Sequence, residues 1–280
     1  VTDLKLPSKN FWYRILFGSA FAIITGVLIA LSSHPYCRWL FITSVVGVHL
    51  IALYELICLC QAKGFAPTAA LLYPVSALVL FSHALAITDV SFAPLAPSLL
   101  FLGTILLPCL TRPGSIVNLA LTIFCVIYLT VPCMWLLDIT FLPGTPFWIA
   151  WLIIVTKGSD MAAYFGGKFL GTHALAPQLS PKKTVEGAFF GILGAALLSL
   201  ALPCVWTDAP VISAVTWLLL GALTGLTAMG GDLFESLLKR DAGVKDSNTI
   251  PGLGGVLDII DSSLFTIPLL YIYLSATGRV

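Results

Sequence analysis

From Met229 to Ser262 the chain reads MGGDLFESLLKRDAGVKDSNTIPGLGGVLDIIDS, and this stretch holds six of its thirteen acids and three of its fourteen Lys and Arg residues. Only 10% of the chain is charged and 59% is hydrophobic. Each Asp, Lys or Arg at the centre of a membrane helix costs roughly 2.5–3.5 kcal/mol on insertion scales, so such a cluster belongs where it faces a cavity, an ion or a polar substrate. On helical spacing Asp232, Glu235, Ser236 and Lys239 share one face, and Asp258 and Asp261, three residues apart, share another. Between them Asp246, Pro251, Gly252, Gly254 and Gly255 make a polar turn whose glycines let backbone amides approach an anion. Carboxylates from two helix ends, the cations Lys239, Arg240 and Lys245, and a glycine turn together describe a site for a metal-bound phosphate.

A second group lies upstream. Lys157 and Asp160 are three apart on an apolar helix, where an ion pair that makes both charges tolerable competes with a functional role. Ser180-Pro181-Lys182-Lys183-Thr184, at the start of the next helix, combines two cations, two hydroxyls and unpaired helix amides, an anion-binding arrangement. Thr184 is the expected N-cap, with Glu186 in the first turn. The spacings Gly187-x-x-x-Gly191 with Gly194, and Gly221-x-x-x-Gly225, read as faces for close helix packing.

These residues need a membrane scaffold to position them. Mean hydropathy is +1.01, and apolar runs of spanning length fall at 11–31, 39–60, 66–87, 93–111, 115–137, 145–165, 185–206, 211–234 and 257–275. The expectation is an all-α integral membrane protein of about nine transmembrane helices, with the N-terminus cytoplasmic and the C-terminus on the opposite side. Eleven of the fourteen Lys and Arg residues then lie on the cytoplasmic side, as short cytoplasmic loops require. Residues 1–140 read as a scaffold and 141–280 as the half that carries the motifs. Within the scaffold Glu55 is an isolated intramembrane acid, read first as a capped or interfacial carboxylate. Nine prolines between Pro67 and Pro146 mark helix ends and kinks. The seven cysteines read as small apolar residues. A net charge of +1 argues against a nucleic-acid surface. The start at Val1 has no cleavable signal pattern, and the compact length favours a bacterial inner membrane.

The motifs resemble those of the phosphatidate cytidylyltransferases, or CDP-diacylglycerol synthases. Ser236, Leu238-Lys239-Arg240, Lys245-Asp246, Pro251-Gly252, Gly254-Gly255, Leu257-Asp258 and Asp261-Ser262 are similar to that family's C-terminal signature. Asp160 with Tyr164-x-Gly166, and Ser180 to Gly187, resemble its upstream blocks. Leu253, Ile259 and Gly167 stand where the family often has His, Arg and Arg. The resemblance implies transfer of the cytidylyl group of CTP to phosphatidic acid, with active site facing the cytoplasm and Mg²⁺ as cofactor, with or without a monovalent cation. On that reading Asp232, Asp258 and Asp261 are the metal ligands. Lys239, Arg240 and Lys245 hold the triphosphate, and Asp246 orients cations or nucleotide. Asp160, Ser180, Lys182, Lys183, Thr184, Ser236, Gly254 and Gly255 contact the substrates, and a homodimer is a compatible assembly. A CTP-dependent lipid-alcohol kinase and an ion-coupled transporter are the alternatives. The complete Leu-Lys-Arg, Lys-Asp and Asp-x-x-Asp set disfavours the first, and charges gathered at one membrane face disfavour the second.

Overall fold

The computed structural model describes residues 35–67, 69–92, 94–102, 116–142, 144–244 and 255–279. The expected first span and most of the fourth lie outside the described residues, where only 95–102 of the fourth are seen, as helix. Seven long helices follow the other expected spans: α1 (Pro35–Ala62), α2 (Ala69–Thr88), α3 (Ile116–Thr140), α4 (Thr145–Leu170), α5 (Val185–Val205), α6 (Ala214–Asp241) and α7 (Val256–Ala276). Five of them, α1, α3, α5, α6 and α7, are long and apolar enough to cross a membrane. The protein is therefore a helical membrane protein, with almost no sheet among the described residues. Pro74, Pro132, Pro203 and Pro268 lie inside helices. Membrane helices tolerate such prolines because neighbouring helices and side chains satisfy the freed backbone groups.

Local chemistry sets several helix ends. Gly144 at φ 77° turns the chain into α4, and Pro146 follows in the first turn, where its missing N–H costs nothing. Ser213 accepts the Thr216 amide at the start of α6. At the other end of α6, Gly243 takes φ 73°, and the Val244 amide closes back on the Lys239 carbonyl at 3.0 Å. That left-handed turn stops the helix just past Lys239 and Arg240.

Successive helices α4 to α7 pack side by side, and small residues let them approach. A Cβ on Gly187 would lie 2.8 Å from the Ala163 carbonyl oxygen, and one on Gly225 would lie 2.9 Å from Ile192 Cα. The glycine spacings therefore serve packing inside this bundle. Buried polar bonds add to it: Ser159 donates to the Gly191 carbonyl, Thr156 to Thr266, and Trp151 to Ser199. At one end of the bundle Phe147, Trp148, Trp151, Trp206 and Trp217 form a ring cluster. At the other end, beneath the polar motifs, Tyr128 of α3 packs on Phe234 of α6 and Phe265 of α7.

Ser180–Thr184 leads into α5 at Val185 as expected, and it is itself a strand. It pairs antiparallel with Ala174–Ala176, so β1 and β2 form a small hairpin between α4 and α5. The second strand carries both Lys182 and Lys183.

Candidate active site

The polar end of the bundle is built from the C-termini of α4 and α6, the N-termini of α5 and α7, and the hairpin. Thr184 caps α5 as expected, its hydroxyl accepting the Gly187 amide at 3.1 Å. Glu186 in the same first turn accepts from the amides of Thr172 and His173 (3.0 and 3.2 Å), from the Thr172 hydroxyl (2.6 Å), and meets the His173 ring at 2.6 Å. One carboxylate thereby pins the base of the hairpin to α5. The far side of the hairpin is tied to α6, where Arg240 donates to the Leu179 carbonyl at 3.2 Å.

Three carboxylates converge where α6 meets α7. Oxygens of Asp232, Glu235 and Asp261 all lie within 4.8 Å of one another. Glu235 is 1% exposed and Asp261 5%. The close approach depends on Gly231, where a Cβ would sit 2.6 Å from the Asp261 carbonyl oxygen. Lys183, from β2, pairs with Asp232 at 2.5 Å. Lys239 bridges Glu235 at 2.6 Å and Asp258 at 2.9 Å. Ser262 donates its hydroxyl toward both Asp261 (3.0 Å) and Asp160 (3.2 Å). Asp160 in turn meets Lys157 at 3.5 Å. The upstream pair and the C-terminal motif are thus one network.

A cavity of about 330 Å³ opens beside it, lined by Asp160, Tyr164, Lys168, Lys182, Lys183, Thr184 and Asp232 among others. Small residues of α4, α5 and α6, including Ala163, Gly187 and Gly225, line the rest of its wall. Ser180 is half-buried and Lys182 exposed at the hairpin edge. Ser236 is half-buried next to Glu235. Lys245, Asp246 and Gly254 fall outside the described residues, whereas Gly255 is the N-cap of α7.

The arrangement differs from the sequence expectation in one respect that matters chemically. Asp258 lies on the α7 face turned to Lys239, and its second oxygen accepts the Gly255 amide at 3.1 Å. It is occupied with capping α7 and holding Lys239. The carboxylate that joins Asp232 and Asp261 is Glu235, which the helical face Asp232, Glu235, Ser236, Lys239 already contained. Glu55 is the other residue whose role the sequence left undeveloped. It is 1% exposed and accepts the amides of Val256 (2.9 Å) and Leu257 (2.7 Å), the first turn of α7.

The acid trio fits a hard divalent cation. Three carboxylates offer the oxygen donors that Mg²⁺ takes, and Glu235 Oε1 is buried with no hydrogen-bond partner, a cost that coordination would remove. Geometry of this kind, beside lysines and a cleft at the end of membrane helices, suits chemistry on phosphate groups.

Comparison with known proteins agrees. The chain belongs to the cytidylyltransferase family, whose model matches residues 12–277. A phosphatidate cytidylyltransferase of Synechocystis is 34% identical over 279 positions, covering 89% of this chain and 93% of that one. One from Chlamydia trachomatis is 39% identical over 177 residues, 59% of this chain, and the match spans only 57% of the chlamydial protein. The chloroplastic phosphatidate cytidylyltransferase 5 of Arabidopsis thaliana is 30% identical across 99% of this chain and 75% of its own length.

Proposed function

We propose that the chain transfers the cytidylyl group of CTP to phosphatidic acid, giving CDP-diacylglycerol and pyrophosphate. The observation that carries this reading is the meeting of Asp232, Glu235 and Asp261 with Lys183 and the hairpin at one end of a membrane bundle, in a chain of the cytidylyltransferase family. A soluble nucleotide reaches such a site from the aqueous side and a lipid phosphate from the bilayer.

A lipid phosphate oxygen attacks the α-phosphorus of CTP. The new P–O bond forms as the bond from that phosphorus to the bridging oxygen breaks, and pyrophosphate leaves with the electron pair. The nucleophile is already an anion, so no strong base is needed. The barrier is the approach of one anion to another, and fixed positive charge lowers it. Asp232, Glu235 and Asp261 would hold Mg²⁺, which when bound supplies Lewis-acid stabilisation of phosphoryl charge. Lys183 sits at the edge of that cluster and Lys182 faces the open side, so both can meet phosphate oxygens. Lys239 and Asp258 keep Glu235 and the first turn of α7 in register. Arg240 holds the hairpin and, with Lys245, Asp246, Gly254 and Gly255 of the segment between α6 and α7, is assigned to the triphosphate. Asp160 and Ser262 orient Asp261. Part of the same reading are nine spans, a cytoplasmic N-terminus, a C-terminus on the other side, and a site facing the cytoplasm in a bacterial inner membrane. The bias of Lys and Arg toward that side supports it.

The test is an assay of the detergent-purified chain with phosphatidic acid or, in parallel, a long-chain lipid alcohol, and with CTP labelled either in cytidine or at the γ-phosphate, with and without Mg²⁺. Cytidine label entering lipid only with Mg²⁺ is the expected result. Transfer of γ-label to a lipid alcohol would replace this reading with the kinase.

A further inference from the structure

Helix α7 begins inside the protein. Val256 is 8% exposed and Leu257 is fully buried, so their amides cannot be satisfied by water. A helix start leaves its first amides without intrahelical partners, and a side chain at the N-cap usually accepts from them. Gly255 occupies the N-cap of α7 and has no side chain to offer. Glu55 fills that place from another helix, 201 residues earlier in the chain, with one carboxylate oxygen on each of the two amides. Seven residues separate it from the end of α1 at Ala62, about 10 Å along the helix. A carboxylate at a helix N-terminus also meets the favourable end of the helix dipole.

We propose that Glu55 is a positioning residue of the active site, a cap supplied by the N-terminal half that sets the rotation of the α7 turn carrying Asp258 and Asp261. The proposal rests on the cytidylyl-transfer reading. Asp258 and Asp261 lie about 60° apart around the helix, and both must face α6, one toward Lys239 and the other toward Asp232 and Glu235. Side chains end about 5–6 Å from a helix axis, so a rotation of about 20° moves a carboxylate roughly 2 Å. Catalytic groups tolerate far less displacement than that. Two bonds from a buried, fixed carboxylate hold the turn against such rotation. They also couple the scaffold half to the motif half at the point where chemistry is assigned.

The experiment uses the full chain in detergent, with Glu55→Gln and Glu55→Ala. Glutamine keeps one acceptor oxygen and turns an NH₂ toward the second amide, whereas alanine leaves both unpartnered. Three readings are taken: amide exchange of the peptide spanning 255–258, kcat per folded molecule for cytidylyl transfer, and the Mg²⁺ concentration for half-activation. The expected result is graded. Exchange rises at least tenfold in Glu55→Gln and further in Glu55→Ala, kcat falls at least tenfold in the same order, and half-activation moves to higher Mg²⁺. KM for CTP stays within about threefold, because the nucleotide's other contacts are intact. Wild-type exchange at 255–258 in both variants overturns the cap. Faster exchange with wild-type kcat and Mg²⁺ dependence overturns the positioning role and leaves a structural one. Exchange needs no substrate, so absence of cytidylyl transfer in the wild-type chain would sink the functional reading while the cap was still decided.

Discussion

Lys239 tests whether the charges at the α6–α7 junction are held as a unit. Its ammonium lies 2.6 Å from Glu235 and 2.9 Å from Asp258, with side-chain exposures of 14%, 1% and 19% respectively. Lys239→Met keeps the length and apolar stem of the side chain and removes the charge between two carboxylates. Removing one partner of a buried ion pair costs about 3–5 kcal/mol, because the other charge stays uncompensated. Partial exposure of Lys239 and Asp258 puts the cost here at the lower end, about 3 kcal/mol. For a chain of this size each kcal/mol is roughly 2–4 °C of Tm, so a fall of about 6–12 °C is expected. The seven tryptophans allow unfolding in detergent to be followed by fluorescence. Adding Glu235→Gln removes the more buried of the stranded charges, and the double variant should regain at least about 1 kcal/mol over the sum of the singles. Its activity should stay lost, because Glu235 belongs to the acid trio. A Lys239→Met protein that melts within about 2 °C of wild type, or a strictly additive double variant, would refute the reasoning.

Further outcomes follow from the same geometry. Asp232→Asn and Asp261→Asn should each lower turnover by at least about 10²-fold, the effect of losing several kcal/mol of charge stabilisation. Initial rates with CTP and phosphatidic acid check this, and unchanged melting shows that the fold survives. Gly231→Ala forces a Cβ to within 2.6 Å of the Asp261 carbonyl and 3.0 Å of the Phe265 ring, and should destabilise by about 1–3 kcal/mol. Gly230→Ala, with nothing within 4 Å, is the control and should be neutral or slightly stabilising in the same melting assay. Glu186→Gln weakens the acceptor that holds Thr172 and His173, so limited proteolysis should cut the 171–184 segment faster than in wild type.

The positions of the helices could be read from hydropathy because each apolar run of spanning length must bury its backbone bonds internally. The expected spans 39–60, 115–137 and 257–275 meet α1, α3 and α7 within a few residues. The Thr184 cap was equally legible, since it depends on residues three apart. Contacts between distant segments were not. Glu55 reads as an isolated acid because the Val256 and Leu257 amides it accepts lie two hundred residues away, and backbone amides leave no trace in side-chain identity. The hairpin escaped because Ser-Pro-Lys-Lys-Thr carries the marks of a helix start, and its strand pairing depends on the turn at 177–179. Helical spacing put Asp232 and Glu235 on one face and Asp258 and Asp261 on another. It could not say how α6 and α7 are rotated against each other, and that rotation gives Glu235 to the trio and Asp258 to Lys239.

The most direct measurement is an anomalous difference map from crystals of the protein grown with Mn²⁺ in place of Mg²⁺ and with CTP. A peak is expected within ordinary coordination distance of Asp232, Glu235 and Asp261, with the CTP phosphates beside it and Lys183 nearby. A peak held by Asp258 in place of Glu235, or none at the α6–α7 junction, would contradict the account.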